Sequence, residues 1–174
     1  IIQTNFQSAG RGQGGNKWES EDSKNLLISI ILYPELINPA DQFIISMSVS
    51  LGICDFLQRY VPVCNIKWPN DIYVGNDKIA GILIENSLTG EQIEYCIVGI
   101  GLNINQDIFR GDAPNPVSLK MLTGSELNLS ECIRILASDL DKRYTQLLSE
   151  HISTIRGEYI SRLYLLNNWS SFLG

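Results

Sequence analysis

The hydrophobic pattern divides the chain into a strand-rich part and a later helical part. Short apolar or alternating segments bounded by turn residues predict β-strands. These predicted strands span residues 1–6, 25–33, 63–68, 71–74, 78–86 and 91–99. Gly75-Asn76-Asp77 is a hairpin turn signal between two of them, and Thr89-Gly90 marks another turn.

Apolar residues at helical spacing predict helices at residues 39–60, 118–122, 130–148 and 152–166. Asn38 and Ser130 are the expected N-caps of the two longest, and Gly124 is expected to stop the shortest. The first helix is predicted to bury Phe43, Met47, Leu51 and Cys54. Hairpin-linked strands outnumber helices, so the predicted fold class is α/β of the α+β type: a mixed, largely antiparallel sheet with packed helices.

Composition narrows the choice of function. The chain has 174 residues, which suits one domain, and a net charge of −6. This acidic balance argues against a general phosphate-backbone binder, so nucleic acid is not an expected partner. Because the sequence has neither a signal peptide nor an apolar run of roughly 18 residues, we expect a cytoplasmic protein with no membrane partner.

Cysteine and histidine offer little chemistry. Cys54, Cys64, Cys96 and Cys132 are widely spaced, which predicts buried thiols in a reducing compartment and not a zinc or redox site. His151 is the only histidine, and its polar surroundings predict a solvated side chain. Any reaction is therefore expected to rely on lysine, arginine, carboxylates and backbone amides.

The segment from Gly10 to Gly15 fits the pattern G-x-G-x-x-G. A dinucleotide site would need a helix directly afterwards, which the polar segment 16–24 does not predict, and Asn16 stands where a Walker loop needs lysine. What remains is either a plain surface loop or a flexible anion-binding loop with Arg11 and Lys17. Trp18 follows directly and can anchor its base, which favours the functional interpretation.

The run Lys67-Trp68-Pro69-Asn70-Asp71 joins two predicted strands, and Pro69 interrupts their pairing. Lysine and aspartate at such a break can hold each other ionised, or meet a phosphate or a metal ion. The alternative is a turn with a surface ion pair, which is the better interpretation of this run by itself.

Strict alternation along residues 78–85 places Lys78 on one strand face with Ala80, Ile82 and Ile84. A lysine on such an apolar face indicates a pocket, and Gly81 leaves room for a ligand near the backbone. The alternative is an ordinary edge lysine at the start of a strand. The hairpin keeps Lys78 within a few residues of Asp71 across the ladder.

The last motif is Gly99-Ile100-Gly101-Leu102-Asn103-Ile104-Asn105. Its glycines give backbone access at a strand end, and Asn103 offers both a donor and an acceptor to a polar ligand. The alternative is an ordinary transition from strand to loop.

The residues of the four motifs, and the order of the motifs along the chain, resemble those of the central domain of biotin protein ligases. That family carries GRGRRGRxW, KWPND, K[IL]AGIL and a glycine-rich strand ending in GLN or GIN. The matching positions are Gly10–Trp18, Lys67–Asp71, Lys78–Leu83 and Gly99–Asn103, and Asn115 to Leu119 is similar as well. The resemblance covers nearly the whole chain and implies a fold similar to the catalytic domain of class II aminoacyl-tRNA synthetases.

The resemblance also implies a reaction in two steps. Biotin and ATP form biotinyl-5′-adenylate, and a lysine of a biotin carboxyl carrier domain then takes the biotin. Lys78 would contact the biotin carboxylate and the phosphates, and Arg11 would lie in a ligand-ordered loop. Asp71 would lie near Mg²⁺, and Gln7 would touch biotin. The bicyclic ring of biotin would lie against the apolar sheet, partly over Gly81 and Ile82.

The expected co-substrates are ATP and Mg²⁺, with biotin as substrate and no prosthetic group. The predicted catalytic residues are Lys78, Arg11 and Asp71, with Asp71 also the predicted Mg²⁺ ligand. The predicted binding residues are Gln7, Gly10, Gly12, Gln13, Lys17, Trp18, Lys67, Asn70, Gly81, Ile82, Gly101 and Asn103.

Two departures from the family pattern matter. The family loop often has arginine where this chain has Gln13, Gly14 and Asn16, so its positive charge is reduced. We also expect residues 1–174 to be a catalytic domain cut at both ends. A Ser-Thr-Asn segment would precede Ile1, and a small barrel domain would follow Phe172-Leu173-Gly174.

Three alternatives remain open at this point. A lipoate or octanoate ligase shares the fold, but its glycine loop differs and is followed by a histidine, which this chain lacks before His151. A biotin-sensing module would bind without turnover, and a protein-interaction domain would bind no small ligand. Assembly into a homodimer also remains open.

Overall fold

The computed structural model describes residues 1–111, 113–149 and 151–167. Its main element is a six-stranded antiparallel sheet in the order β1-β4-β8-β7-β6-β5, with a separate hairpin formed by β2 and β3. The strands are β1 (Ile2–Thr4), β2 (Gly10–Arg11), β3 (Lys17–Trp18), β4 (Leu26–Leu32), β5 (Asn65–Lys67), β6 (Asp71–Val74), β7 (Asp77–Thr89) and β8 (Gln92–Leu102).

The helices are α1 (Phe43–Leu57), α2 (Leu119–Thr123), α3 (Leu129–Leu148) and α4 (Ile152–Ser161). Helix α1 contacts α3, α4, β6 and β7, so the helices cover one face of the sheet. The strands bury alternate residues there, as Val98, Ile100 and Leu102 do on β8. We call the opposite face, which carries Gly99 and Gly101, the outer face. The predicted α+β architecture is confirmed.

Several predicted boundaries change. The predicted first helix is a 3₁₀ turn, Pro39–Asp41, followed by α1, and Asn38 does cap the turn by accepting a hydrogen bond from the Ala40 amide. The predicted cap Ser130 is wrong, because the cap is Asn128, two residues earlier, whose side chain accepts a hydrogen bond from the Glu131 amide. Helix α4 ends at Ser161, before the predicted end at residue 166.

The glycine-rich segment contains more regular secondary structure than the loop that the sequence predicts. Gly10 pairs with Trp18 and Arg11 with Lys17, around a 3₁₀ turn at Gln13–Gly15. A Cβ atom at Gly10 would clash with the Trp18 backbone carbonyl, so only glycine allows this close pairing. As predicted, no α-helix opens from the segment.

Charged residues join the helices to one another. The Arg143 guanidinium on α3 contacts Asp55 on α1 at 2.6 Å and Glu158 on α4 at 2.8 Å. Arg162 adds a second contact to Asp55 at 3.3 Å. These carboxylates, Asp55 first, raise the pKa of Arg143. We refer to Asp55, Arg143, Glu158 and Arg162 as the helix cluster.

The four cysteines are free and buried, as predicted. Burial raises the pKa of Cys96 to about 11, which keeps that thiol protonated and unreactive near neutral pH. His151 is exposed directly before α4. Among the described helices, none combines the length and the apolar character that crossing a membrane requires. The terminal residues Phe172, Leu173 and Gly174 lie outside the described part of the chain.

Candidate active site

A cavity of about 530 Å³ lies between the outer face of the sheet and the β2–β3 hairpin. Most of the predicted site residues line it: Gln7, Arg11, Gly12, Gln13, Lys17, Trp18, Asn70, Asp71, Lys78, Gly81, Ile82 and Gly101. All four motifs of the sequence therefore contribute to one cavity. The last of them contributes Gly99, Ile100 and Gly101 of β8.

A β-bulge decides where Lys78 lies. Asp71 pairs with Gly81 and Ile72 with Ala80, but Tyr73 pairs with Lys78, which leaves Ile79 as an extra residue. The bulge shifts the alternation, so Lys78 shares a face with Gly81 and Asp71. The prediction that Lys78 shares the face of Ala80, Ile82 and Ile84 is wrong, since those three belong to the core or pack against it.

Lys78 and Asp71 form the charged centre of the cavity. Lys78 Nζ lies 2.7 Å from Asp71 Oδ1, and both side chains are 21% exposed. Asp71 Oδ1 is buried, and no hydrogen-bond donor among the described residues is aligned with it. The contact is thus an ion pair that leaves the carboxylate with unused acceptor capacity.

The backbone around this pair is fixed on both sides. The Asn70 side chain donates to the Ile82 carbonyl at 2.9 Å, and the Ile82 amide donates to the Asn70 carbonyl at 2.9 Å. The Lys78 amide donates to the Asn115 carbonyl at 2.8 Å, and the Val117 amide donates to the Lys78 carbonyl at 2.9 Å. Asp71 and Lys78 are therefore held on rigid backbone.

Trp18 lies over the glycines of the cavity floor. Gly81 and Gly101 are register partners on β7 and β8. A Cβ atom at Gly101 would lie 2.7 Å from Trp18 Nε1, and one at Gly81 would lie 3.0 Å from Trp18 Cζ3. The two glycines thus make room for the indole, and Lys78 Nζ lies 5.8 Å from the centre of its ring. The expected place of the biotin head, partly over Gly81, is covered by Trp18 in this structure.

The indole nitrogen adds an unused donor. Trp18 Nε1 is buried and has no hydrogen-bond partner among the described residues.

Glu19 fixes the chain directly after Trp18 by accepting hydrogen bonds from the amides of Arg110, at 2.8 Å, and Gly111, at 2.6 Å. The hairpin base is thereby tied to the loop that follows β8.

Arg11 is paired with a residue that the sequence did not single out. Arg11 Nη2 lies 3.1 Å from Glu85 Oε2, and Nη1 lies 3.4 Å from Oε1. Glu85 lines the cavity from β7, on the face of Gly81 and Leu83. Period-two alternation along β7 places Glu85 on the face of Gly81 and Leu83, which is the signal in the sequence that points to it.

Three predicted residues do not line the cavity. Gly10 is buried in the hairpin. The Lys67 amine lies 4.9 Å from the centre of the Tyr73 ring and 3.4 Å from its hydroxyl, so Lys78 and not Lys67 pairs with Asp71. Asn103 is buried behind the end of β8, where its amide donates to the Val117 carbonyl at 3.1 Å.

The remaining lining residues were not predicted as site residues. Those outside the four motifs are Ala9, Ile28, Ser29, Glu85 and Ile97, and those within them are Gly14, Asn16, Pro69, Leu83, Gly99 and Ile100. Ile28 and Ser29 lie on β4, whose apolar run in the sequence gives no sign of a neighbouring site. The sheet contributes apolar side chains and also the charged residues Asp71, Lys78 and Glu85, and the hairpin contributes Arg11 and Lys17.

Comparison with known proteins points to one family. The sequence model of the biotin/lipoate A/B protein ligase family matches residues 1–103. The biotin–[acetyl-CoA-carboxylase] ligase of Paracoccus denitrificans is 30% identical over 166 residues, which cover 90% of this chain and 67% of that protein. The bifunctional ligase/repressor BirA of Escherichia coli strain K12 is 30% identical over 165 residues, covering 94% of this chain and 50% of that protein. Against several such relatives, then, the chain spans about half of their length.

Solved structures agree. A biotin protein ligase from Aquifex aeolicus, in complex with biotin and ATP, has a TM-score of 0.81 at 25% identity, covering 94% of this chain and 68% of that chain. The chain therefore belongs to the biotin/lipoate A/B protein ligase family, and the relatives that it resembles within that family are biotin protein ligases.

Proposed function

We propose that this chain catalyses the ATP-dependent activation of biotin to biotinyl-5′-AMP and the transfer of biotin to a lysine of a carboxyl carrier domain. The observation that carries the proposal is the cavity itself. Lys78, Asp71 and Arg11 surround a space with an apolar side, and an acid with an apolar tail would fit such a space beside a phosphate.

The first step joins two anions. An oxygen of the biotin carboxylate attacks the α-phosphorus of ATP, the bond to the β-phosphate oxygen breaks, and pyrophosphate leaves. A lysine ammonium has three donors, of which the contact with Asp71 takes at most one. Two remain for the carboxylate and the α-phosphate, so Lys78 would reduce their repulsion as they approach.

The second step releases AMP. The neutral amine of the acceptor lysine attacks the carbonyl carbon of the mixed anhydride, and the bond between that carbon and the phosphate oxygen breaks. The amine loses a proton, and AMP leaves with the oxygen. Before this, the anhydride must be kept from water, and the β2–β3 hairpin lies where it would cover the intermediate.

Magnesium would enter bound to ATP. No group of three or more His, Cys, Asp or Glu side chains within the described residues is arranged to hold a metal ion. Mg²⁺ at sites of ATP chemistry is usually held by one or two carboxylates plus the phosphates, and Asp71 is a suitable carboxylate with unused acceptor capacity. Bound there, the ion would neutralise charge on the phosphates.

The test is biotin-dependent exchange of labelled pyrophosphate into ATP, followed by transfer of labelled biotin to a carrier domain. We expect exchange with biotin and none with lipoate or octanoate. Biotin binding without exchange would support a sensing module, and exchange with lipoate would support the other branch of the family. Either result would overturn the proposal.

A further inference from the structure

Glu85 presents a conflict within the candidate site. A cavity that takes a carboxylate and a triphosphate should disfavour a further carboxylate, yet Glu85 lines it. Its side chain is 50% exposed and pairs with Arg11, which is 72% exposed. Both oxygens of Glu85 face the two terminal nitrogens of Arg11, so the end-on bidentate edge of the guanidinium is occupied.

The two partners differ in how firmly they are held. Glu85 lies in the long strand β7, where it pairs with Ile97 of β8. Arg11 lies in the two-residue strand β2 of the small hairpin. Their contact connects the outer part of the hairpin to the sheet, whereas Trp18 connects its base. Because the sheet is the rigid side, Glu85 fixes Arg11 and not the reverse.

We propose that Glu85 is a positioning residue that occupies Arg11 in the free protein and gives it up to a phosphate of ATP. This inference rests on the proposed function. A guanidinium binds a carboxylate and a phosphate through the same bidentate geometry, so one can replace the other without a change of rotamer. An exposed ion pair is weak, and a triphosphate carries more charge than a carboxylate, so the exchange favours ATP.

The exchange has two consequences. In the free protein, the pair keeps the hairpin against the sheet and Arg11 beside the cavity. When ATP binds, part of the binding energy is used to separate Arg11 from Glu85, so Glu85 lowers the affinity for ATP. Removing the Glu85 charge should therefore loosen the empty hairpin and tighten ATP binding, whereas a merely structural residue would loosen the hairpin and weaken binding.

The first experiment needs no ligand. Trypsin cleavage after Arg11 and Lys17 is measured in wild type, Glu85→Gln and the control Glu94→Gln, which removes an exposed carboxylate from β8. We expect severalfold faster cleavage in Glu85→Gln and no change in the control. Salt should accelerate cleavage of wild type but not of Glu85→Gln, since salt screens exposed pairs. Equal cleavage of wild type and Glu85→Gln would overturn the inference.

The second experiment measures ATP affinity by calorimetry and the KM for ATP in pyrophosphate exchange. Glu85→Gln should bind ATP about two- to fivefold more tightly, the range expected for releasing one exposed pair, and the KM for ATP should fall accordingly. In an Arg11→Gln background the same substitution should give a smaller gain. Weaker ATP binding, or an equal gain without Arg11, would overturn the exchange. Wild type that binds no ATP would refute the proposed function and the exchange together, while the cleavage rates still decide whether Glu85 holds the hairpin.

Discussion

The helix cluster and the cavity contain similar charged groups but arrange them differently. In the helix cluster, Arg143 is 13% exposed and contacts two carboxylates, and Asp55 in turn contacts two arginines. In the cavity, Lys78 and Arg11 each contact one carboxylate. The first group is mutually saturated, whereas each cation of the second retains donors for another anion.

The difference separates stability from chemistry. A buried charge with several partners is costly to disturb, because the groups that it leaves behind remain desolvated. A cation with one partner next to a cavity can exchange that partner or take a second one. We therefore expect substitutions in the helix cluster to lower the free energy of unfolding, and substitutions in the cavity to lower catalysis or ligand binding.

The largest effect should come from Lys78→Ala. Losing one electrostatic contact to the transition state should reduce biotin-dependent pyrophosphate exchange on the order of 10²–10³-fold. The free energy of unfolding should fall less than in Arg143→Ala, because Lys78 contacts one carboxylate and Arg143 contacts two. Lys142→Ala is the matched control, because Lys142 is 71% exposed on α3 and pairs with Asp139. Near-normal exchange in Lys78→Ala would remove Lys78 from the mechanism.

Arg143→Ala should give the opposite result. It leaves Asp55 and Glu158 without their shared partner, and breaking such a pair costs roughly 3–5 kcal/mol of unfolding free energy when it is fully buried. We expect about 3 kcal/mol, because both carboxylates keep some solvent contact. Arg134→Ala on the exposed side of α3 should change the free energy of unfolding by no more than about 0.5 kcal/mol. The KM for ATP should be unchanged wherever the variant is folded. A loss as small as that of the control would show that the cluster does not stabilise the fold.

Much of the fold followed from local pattern. Dense apolar runs located β4 and β8, and the turn Gly75-Asn76-Asp77 located the hairpin between β6 and β7. What pattern could not give was the bulge at Ile79, because one extra residue reverses the face of everything on one side of it. That reversal, and not an apolar strand face, brings Lys78 to the cavity.

The motifs predicted which residues line the site. They did not predict which of those residues contact one another. Arg11 and Glu85 are 74 positions apart, and only the folded hairpin brings them together. Asn70 and Asn103 illustrate the same limit. Both were expected to face a ligand, but their side-chain amides donate to the backbone carbonyls of Ile82 and Val117. A sequence shows that an asparagine can donate but not which acceptor it reaches.

The smallest predicted effect tests whether the hairpin itself holds the intermediate. Gln13 lines the cavity at the tip of the hairpin and stands at a position where the GRGRRGRxW pattern has arginine. A glutamine amide already bonds a charged phosphate through one neutral donor, whereas arginine adds its own charge and a second parallel N–H. Gln13→Arg should thus gain about 1 kcal/mol toward the adenylate phosphate, which corresponds to about fivefold slower release.

The measurement is the off-rate of pre-formed labelled biotinyl-adenylate during a chase with unlabelled biotin and ATP. Ser8→Arg adds the same charge to the same segment at an exposed residue that does not line the cavity, so it controls for net charge. Slower release from Gln13→Arg alone would locate the phosphate under the hairpin tip. Equal slowing in both variants would attribute the effect to net charge, and unchanged or faster release from Gln13→Arg would mean that position 13 does not face the phosphate. In either of the last two cases Lys78 and Arg11 would be left as the cations that hold the adenylate.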